Sequence, residues 1–361
     1  MLNFYQPLFS TNLNGTSKEF TFIDLFCGIG GFHRALGSLN GECVFASDID
    51  KECQKTYQAN YNIEVNGDIT KIDPNTIPDH DILCAGFPCQ PFSVSGKQKG
   101  FEDTRGTLFF NVLEIIKAKR PKVVFLENVK QLKYHDGGKT LQVILKCLAD
   151  EGYFVSWKVL NSKDFGLAQN RERIVIVASQ TKQFDFEQLR SQPRVNIKDI
   201  LETKTETKTD FEYLEPSEYT ILPSQQWTKQ TSGLIFCGYR NKTIRINGTR
   251  PNTEHLSRVH KQPNRIYHID GTHPTIPSQE TSGRFFIYDG LQVRKMTINE
   301  CYKLMGFSES HKKLSVSGHL YRQIGNSVAI PMIRAVGEQI VEQLLEKRVE
   351  VVKNEIKVEY V

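Results

Sequence analysis

The sequence predicts an α/β protein with a doubly wound, mainly parallel sheet and a smaller, irregular, β-rich second domain. In the first half of the chain, short apolar runs alternate with helix-like segments, which is typical of a parallel sheet. After about residue 185, Thr, Gln, Asn, Pro and Gly dominate, and apolar runs become short and isolated. The length of 361 residues allows one large domain and one smaller one.

Six apolar runs are rich in Val, Ile, Phe and Leu and alternate little, as expected for strands buried on both faces. They cover residues 20–26, 43–47, 81–86, 122–127, 154–160 and 173–178. Helix-like segments between them cover residues 33–39, 51–61, 108–119 and 140–150. Further on, residues 297–305 predict a short helix, and residues 333–349 a longer amphipathic one.

These patterns divide the chain into a sheet domain (1–185), a second domain (186–292) and a C-terminal part (293–361) that returns to the first. Hydrophobic residues make up 39% and charged residues 24%, as in globular proteins. No apolar run approaches the roughly 18 residues of a membrane span, and the polar N-terminus lacks signal-peptide features. We therefore expect a cytoplasmic protein without a membrane partner.

The chain has 8 cysteines and no Cys-x-x-Cys pair or zinc-ligand spacing, so we expect no metal site. In such a chain most cysteines should be reduced and buried. A cysteine with a chemical role must therefore be identified by its neighbours.

Charge is unevenly distributed, although the net charge is only +5. Residues 227–265 contain eight basic residues and one acid, whereas residues 202–218 are mostly acidic. A basic stretch mixed with Asn, Gln, Thr and Ser suits a nucleic-acid-binding face. An ordinary solvated surface explains the charge equally well.

A glycine-rich motif, Asp-Leu-Phe-Cys-Gly-Ile-Gly-Gly, occupies residues 24–31 at the end of the first predicted strand. Glycines allow a sharp turn and close approach to a ligand. Asp48, at the end of the second strand, is where a ribose-binding carboxylate belongs in nucleotide-binding α/β folds. Asp68 follows at the third position and could accept from an adenine amino group. The motif alone fits a dinucleotide, S-adenosylmethionine or a plain tight turn.

A second motif, Gly-Phe-Pro-Cys-Gln-Pro-Phe-Ser, occupies residues 86–93 after the third strand of the pattern. Pro88 and Pro91 fix the backbone around Cys89 and disfavour a helix through it. Ligand sites of such sheets lie at the carboxyl ends of strands. This setting makes Cys89 the candidate nucleophile, although an isolated cysteine is more often a buried structural residue.

Two further motifs end or begin strands. Glu127, in Glu-Asn-Val, should project toward the same sheet edge as Cys89, unless it is a cap or surface residue. Arg171 and Arg173 are separated by one residue and should point the same way on a strand. One of them could orient a base or phosphate, and a salt bridge is the alternative.

The order of these motifs resembles bacterial DNA cytosine-5 methyltransferases, especially the HhaI methyltransferase type. The resemblance covers nearly all of the chain except about 185–290, where the family has its variable target-recognition domain. It implies the Rossmann-like fold of S-adenosylmethionine-dependent methyltransferases. The matching segments are residues 24–31, 67–70, 86–110, 121–130, 161–176 and 323–328.

The resemblance assigns four catalytic residues: Cys89, Glu127, Arg171 and Arg173. Cys89 would attack ring carbon 6 of cytosine, and Glu127 would protonate ring nitrogen 3, with its pKa raised by burial. Arg173 would contact the base carbonyl and steady Glu127. No metal is implied.

The resemblance also implies S-adenosyl-L-methionine as the cofactor. Ile49 stands where relatives often have tryptophan, and Asp48 where glutamate is common. The implied contacts are Asp24, Phe26, Gly28, Ile29, Gly30, Asp48, Ile49, Asp68, Ile69, Gly86, Leu108, Asn326 and Ser327.

The implied macromolecular partner is duplex DNA, from which the target cytosine must be flipped out. Residues 93–100 would form a mobile loop that closes over the DNA. Thr275 would lie near the flipped base, and arginines of the recognition domain would read base edges. The predicted DNA contacts are Ser93, Ser95, Lys97, Arg105, Arg240, Arg245, Arg258, Thr275 and Arg284.

We also expect a monomer that belongs to a restriction–modification system, with a possible cognate endonuclease acting on the same site without direct binding. An RNA cytosine-5 methyltransferase using the same residues is the main alternative. An oxidoreductase would not explain the presence of Cys89 and Glu127. A catalytically idle DNA-binding protein would not explain why all the expected catalytic residues are present.

Overall fold

The structure is a computed structural model that describes residues 18–88, 108–203, 211–242 and 256–345. In these ranges the elements, in chain order, are β1 (Phe20–Leu25), α1 (Gly31–Gly37), β2 (Gly41–Ser47), α2 (Lys51–Tyr61), β3 (Val65–Asn66), β4 (Ile82–Ala85), α3 (Leu108–Lys119), β5 (Val123–Val129), α4 (Lys139–Asp150), β6 (Phe154–Asn161), β7 (Gln169–Asn170), β8 (Glu172–Ser179), β9 (Tyr219–Ile221), β10 (Thr228–Lys229), β11 (Ile235–Arg240), β12 (Arg265–His268), β13 (His273–Pro274), β14 (Phe286–Tyr288), β15 (Val293–Lys295), α5 (Ile298–Lys303), α6 (Ser317–Asn326) and α7 (Ile330–Leu344).

The main sheet has seven strands in the order β3-β2-β1-β4-β5-β8-β6. The pairings from β3 to β5 are parallel. β8 runs antiparallel to both β5 and β6. The predicted α/β class is therefore confirmed, with a mixed sheet that is parallel over most of its width.

Helices cover both faces of this sheet. On one face, alternate residues of the strands pack with α3 and α4 in one apolar cluster. On the other face, α1 and α7 join a larger cluster that also reaches residues of the second sheet. Each fully buried aliphatic or aromatic side chain contributes about 1.5–3 kcal/mol. The C-terminal helix α7 is thus part of the main core, as its amphipathic pattern predicts.

The second sheet follows the order β10-β11-β12-β14-β15, with β9 also pairing with β11. Its pairings are antiparallel except β12 with β14. A separate parallel pair of β13 with β7 joins residues 273–274 to residues 169–170 of the main-sheet region. The β-leaning composition of this region predicts strands, but not this link.

The strand order reverses direction at β1, which has β2 on one side and β4 on the other. In open α/β sheets, ligands bind outside the carboxyl ends of the strands at such a point. The glycine-rich turn follows β1 directly, so the fold places it at the expected ligand site.

Seven cysteines in the described ranges are free, and six of them are buried. Cys89 lies outside the described residues. No helix in the described part of the chain is long and apolar enough to cross a membrane.

Candidate active site

The turn after β1 is built from left-handed backbone conformations. Phe26, Gly28 and Gly30 have φ of 55°, 53° and 85°. At Gly30 an added Cβ would overlap the Tyr61 ring, whereas at Gly28 it would meet no atom within 4 Å. Gly30 is therefore required by packing, and Gly28 leaves open space beside the turn.

Asp48 anchors this turn to the end of β2. Its Oδ2 accepts a hydrogen bond from the Gly28 amide at 2.8 Å, and its Oδ1 accepts one from the Asp50 amide at 2.8 Å. Burial raises the pKa of Asp48, and these hydrogen bonds partly oppose that effect. Asp48 is half-buried and keeps lone pairs for a further donor, such as a ribose hydroxyl.

Three aromatic side chains, of which Tyr57 is fully buried and His33 and Tyr61 are half-buried, support the turn from the protein side. The Tyr61 hydroxyl donates to the Gly30 carbonyl oxygen at 2.8 Å, and its ring stacks on His33 with centroids 4.0 Å apart. His33 shares a 2.8 Å hydrogen bond with Tyr57, whose hydroxyl reaches Asp24 at 3.4 Å. Sequence reasoning missed these three residues, because Tyr57 and Tyr61 lie on α2 and no local pattern shows what they contact.

The structure gives Asp24 a supporting position. Its side chain is fully buried under the turn, and burial raises its pKa well above the usual range. Its Oδ1 has no hydrogen-bond partner among the described residues. Asp24 therefore lies behind the predicted cofactor site and does not line it.

The predicted cofactor residues fall into two groups. Ile29, Gly30, Ile69 and Ser327 are buried, so they build the site from within, as Asp24 does. Ile49 is 71% exposed and presents a free apolar face beside Asp48. The other predicted residues with some exposure are Phe26, Gly28, Asp48, Asp68, Gly86, Leu108 and Asn326.

Asp68 caps a short turn, since its Oδ1 accepts from the Thr70 amide at 3.0 Å and from the Thr70 hydroxyl at 2.8 Å. These bonds lower the pKa of Asp68. Its other oxygen remains available. Together, the open space at Gly28, the exposed Ile49 and the carboxylates of Asp48 and Asp68 fit an adenosine group.

Glu127 lies near the carboxyl end of β5 and is only 7% exposed. Its Oε1 lies 3.2 Å from Arg173 Nε on the neighbouring β8. Burial raises the pKa of Glu127, while Arg173 and Arg171 oppose this shift. A buried carboxyl group with a raised pKa is suited to carry and donate a proton.

The chain entering the cysteine motif is fixed against β5. The Asn128 side-chain amide donates to the Phe87 carbonyl oxygen at 2.8 Å. A Cβ added at Gly86 would lie 4.0 Å from Glu127 Oε2. Cys89 and the predicted loop residues Ser93, Ser95, Lys97 and Arg105 lie outside the described residues. The described range 18–88 therefore ends close to the Glu127–Arg173 pair.

The prediction that Arg171 is catalytic and points the same way as Arg173 is corrected by its position in the structure. Arg171 precedes β8, and its guanidinium is fully enclosed. It donates to the backbone carbonyls of Ile276, Gly325 and Ser327 at 3.2, 2.9 and 2.7 Å. Arg171 therefore joins three segments of the chain as a positioning residue, and only Arg173 of the pair contacts Glu127.

The predicted DNA-reading residues also differ in what they can reach. Thr275 donates its hydroxyl proton to the Asn170 carbonyl oxygen at 2.8 Å, which brings its segment beside Arg171. Arg240 pairs with Glu218 at 3.3 Å and packs over Phe286, so it is engaged within its own sheet and is not a free base reader.

Arg258 and Arg284 are exposed, whereas Arg245 lies outside the described residues. Arg284 also pairs with a carboxylate, that of Glu280, but 44% of its side chain is exposed, against 15% for Arg240. Within the described ranges, no group of three or more His, Cys, Asp or Glu residues could hold a metal ion.

Residues 20–342 match the family model described as C-5 cytosine-specific DNA methylase. The chain is 38% identical over 331 residues to Type II methyltransferase M.HhaI of Haemophilus parahaemolyticus, covering 88% of this chain and 93% of that protein. It is 41% identical over 350 residues to M.HpaII of Haemophilus parainfluenzae, covering 94% and 93%. It is 42% identical over 334 residues to M.NlaX of Neisseria lactamica, covering 89% and 96%.

Solved structures share the fold at lower identity. The Entamoeba histolytica methyltransferase EhMeth aligns with a TM-score of 0.64 at 20% identity, covering 91% of this chain and 99% of that one. The S. pombe Dnmt2 methyltransferase aligns with a TM-score of 0.61 at 19% identity, covering 91% and 98%.

Proposed function

The chain belongs to the C-5 cytosine-specific DNA methylase family, and we propose that it transfers a methyl group from S-adenosylmethionine to carbon 5 of a flipped-out cytosine in a specific short duplex DNA site. The observation that carries this proposal is the meeting of three segments at one sheet edge. The glycine-rich turn follows β1, the chain to Cys89 follows β4, and Glu127 lies near the end of β5. A cofactor turn, a nucleophile segment and a proton donor are thereby assembled together.

Cys89 acts as the nucleophile in this proposal. Carbon 5 of cytosine is too weak a nucleophile to take a methyl group unaided. Addition of the Cys89 thiolate to carbon 6 moves electron density to carbon 5, which would take the methyl group as the bond between that group and the donor sulfur breaks. Loss of the carbon-5 proton to a base or water, with return of the nitrogen-3 proton to Glu127, expels the thiolate and restores the aromatic ring. An unperturbed thiol has a pKa of about 8.5, so the site must favour the thiolate.

Glu127 and Arg173 make the ring receptive to this attack. Burial raises the pKa of Glu127, which favours the protonated form that can donate to ring nitrogen 3 as the thiolate adds. Arg173, whose Nε lies 3.2 Å from Glu127 Oε1, holds that carboxyl in place. Arg173 Nη1 donates to the Glu172 carbonyl oxygen at 2.7 Å, which fixes the guanidinium.

The cofactor site lies between the glycine-rich turn and the carboxyl end of β2. When bound there, S-adenosylmethionine supplies the methyl group. Asp48 would accept from the ribose, Ile49 would cover one face of the adenine, and Asp68 would accept from its amino group. The space beside Gly28, which contains no atom within 4 Å of an added Cβ, supports this assignment.

DNA binding involves the second sheet and its connections. We propose domain boundaries near residues 185 and 292, with the residues between them reading the DNA site. The 273–276 segment lies beside Asn170 and Arg171, so it faces the catalytic edge. Relatives of the chain carry the name Type II methyltransferase. The expected arrangement is a monomer that methylates its DNA site and so protects it from a cognate endonuclease.

The test uses the full chain with methyl-labelled S-adenosylmethionine and either duplex DNA or tRNA. Label in duplex DNA, recovered as 5-methylcytosine after nuclease digestion, is the expected result. Cys89→Ser should abolish incorporation and keep cofactor binding. Cys147→Ala, a matched cysteine variant on α4, should remain active. Incorporation into tRNA alone, or normal turnover by Cys89→Ser, would contradict the proposal.

A further inference from the structure

A buried carboxylate orients an exposed arginine in the connection between β13 and β14. Glu280 is only 5% exposed, whereas the Arg284 side chain is 44% exposed. Glu280 Oε2 accepts from Arg284 Nε at 3.0 Å and lies 2.9 Å from Arg284 Nη2. Its Oε1 accepts from the Ser282 amide at 2.7 Å. The carboxylate is therefore itself fixed by the backbone.

The contact uses one edge of the guanidinium and leaves another free. Nε and one proton of Nη2 face Glu280. Nη1 and the second proton of Nη2 form the opposite edge, for which the described residues provide no partner. Two parallel N–H donors on a fixed plane match two neighbouring acceptors, the arrangement that guanine presents through O6 and N7 in the major groove.

The Glu280–Arg284 pair lies close to the segment that joins the second sheet to the region before β8. Arg284 and Glu280 line a cavity together with Gln262, Arg265, Pro274 and Pro277. The two prolines flank Thr275 and Ile276, which contact Asn170 and Arg171. The cavity is therefore next to the segment that packs at the entrance of β8.

We propose that Arg284, oriented by Glu280, is a specificity-determining residue that binds the O6/N7 edge of a guanine near the target cytosine. The inference rests on the proposed function. A bare arginine would suit a phosphate equally well. Here the neighbouring carboxylate compensates the positive charge, which weakens attraction to the backbone but keeps the donor geometry. Although burial raises the pKa of Glu280, bonds from Arg284 and Ser282 hold it below its usual range, so the carboxylate stays charged.

The first experiment defines the site preference of the wild-type chain. A pool of duplexes with randomised bases around cytosine is methylated, and bisulfite sequencing reports which sequences are modified. Arg284→Lys keeps the charge but loses the two-donor edge. It should reduce the preference for guanine at one position by about 10- to 100-fold, the range for one lost bidentate contact. Arg120→Lys changes an exposed arginine of the main-sheet domain that also pairs with a carboxylate, Glu151, so it is the matched control and should keep the profile.

The second experiment locates the contact on the base. In a duplex with the preferred site, 7-deazaguanine at the affected position removes N7 and should slow the wild-type chain about 10-fold or more. The same replacement should have little effect on Arg284→Lys. Inosine at that position keeps O6 and N7 and should be accepted, since it lacks only a minor-groove amino group.

Glu280→Gln tests the positioning role. It leaves Arg284 charged without its carboxylate, so guanine preference should fall while overall affinity for DNA is kept or rises. A variant that merely misfolds would lose both, and circular dichroism checks the fold. If Arg284→Lys keeps the wild-type profile, or if 7-deazaguanine slows wild type and variant equally, the inference is wrong although the proposed function stands. If the wild-type chain methylates no duplex, the proposed function itself fails.

Discussion

Gly28 and Gly30 differ in what an added methyl group would meet, and this difference predicts opposite phenotypes. At Gly30 a φ of 85° makes alanine unfavourable, by about 1–2 kcal/mol. The Cβ would also overlap the half-buried Tyr61 ring, which is stacked on His33, and overpacking of this kind costs about 1–3 kcal/mol more. Gly30→Ala should therefore lower the free energy of unfolding by about 2–5 kcal/mol.

At Gly28 only the backbone cost applies. Its φ is 53°, and no atom lies within 4 Å of an added Cβ, so Gly28→Ala should cost no more than about 2 kcal/mol. The methyl group would instead occupy the open space beside the turn. Affinity for S-adenosylmethionine should fall at least tenfold, whereas the fold remains intact.

Urea unfolding and calorimetric titration with S-adenosylmethionine measure the two effects separately. Repeating Gly30→Ala in a Tyr61→Ala background removes the ring, so the clash contribution of about 1–3 kcal/mol should disappear from the cycle. Equal destabilisation by both glycine variants, or normal cofactor affinity of Gly28→Ala, would refute the reasoning. So would an unchanged cost of Gly30→Ala when Tyr61 is absent.

The remaining variants probe proton transfer, a buried ion pair and a buried histidine. Glu127→Gln should lower turnover by about 100- to 10,000-fold with cofactor affinity unchanged. Because burial raises the pKa of Glu127, wild-type turnover should fall as pH rises through that pKa, and the variant should lack this dependence. Equal turnover of Glu127→Gln and the wild type would contradict the role of Glu127 as proton donor. Arg294→Met leaves the fully buried Glu300 without its partner at 2.7 Å, and should cost about 3–5 kcal/mol in urea unfolding, whereas a loss below about 1 kcal/mol would be typical of an exposed pair. Burial lowers the pKa of His273 from 6.5 to about 4, so its neutral form stabilises the fold above pH 6.5 and this contribution is lost as pH falls toward 4. The difference in unfolding free energy between wild type and His273→Gln should therefore shrink by about 2 kcal/mol between pH 7.5 and pH 5, and a constant difference would contradict the shift.

The six runs predicted from sequence all became strands of the main sheet. The inner strands β1, β4, β5 and β8 are buried along most of their length, which demands apolar residues on both faces. The edge strand β6 is mostly half-exposed and was predicted from its Val, Trp and Leu residues alone. β3, with only Val65 and Asn66, has no such pattern and was missed. The polar helix α6 was missed as well, because its buried face becomes apparent only once α5 packs against it.

The second sheet and the link between the two regions depend on contacts that sequence pattern does not encode. β13 consists of His273 and Pro274, and it forms only by pairing with β7. The adjacent hydrogen bond from Thr275 to Asn170 spans 105 residues. Arg171 shows the same limit, because the two-residue spacing suggested a shared strand face, whereas the strand begins at Glu172.

The candidate site was predictable where chemistry depends on a local motif. Glycines after a strand, and a glutamate at the end of another strand, point to the sheet edge at which the structure brings these residues together. The supporting residues Tyr57, Tyr61 and Glu280 act through the packing of distant segments or through a turn whose geometry only the structure shows. Their side chains carry no distinctive sequence signal, although they determine how rigidly the site is held.

Covalent trapping tests the central claim most directly. A duplex pool containing 5-fluorocytosine is incubated with the full chain and S-adenosylmethionine, because fluorine at carbon 5 cannot leave as a proton does. We expect a protein–DNA adduct that survives denaturation, depends on the cofactor and maps to Cys89 by mass spectrometry. Methylation of ordinary duplex DNA without any adduct, or an adduct on another residue or in Cys89→Ala, would contradict the account.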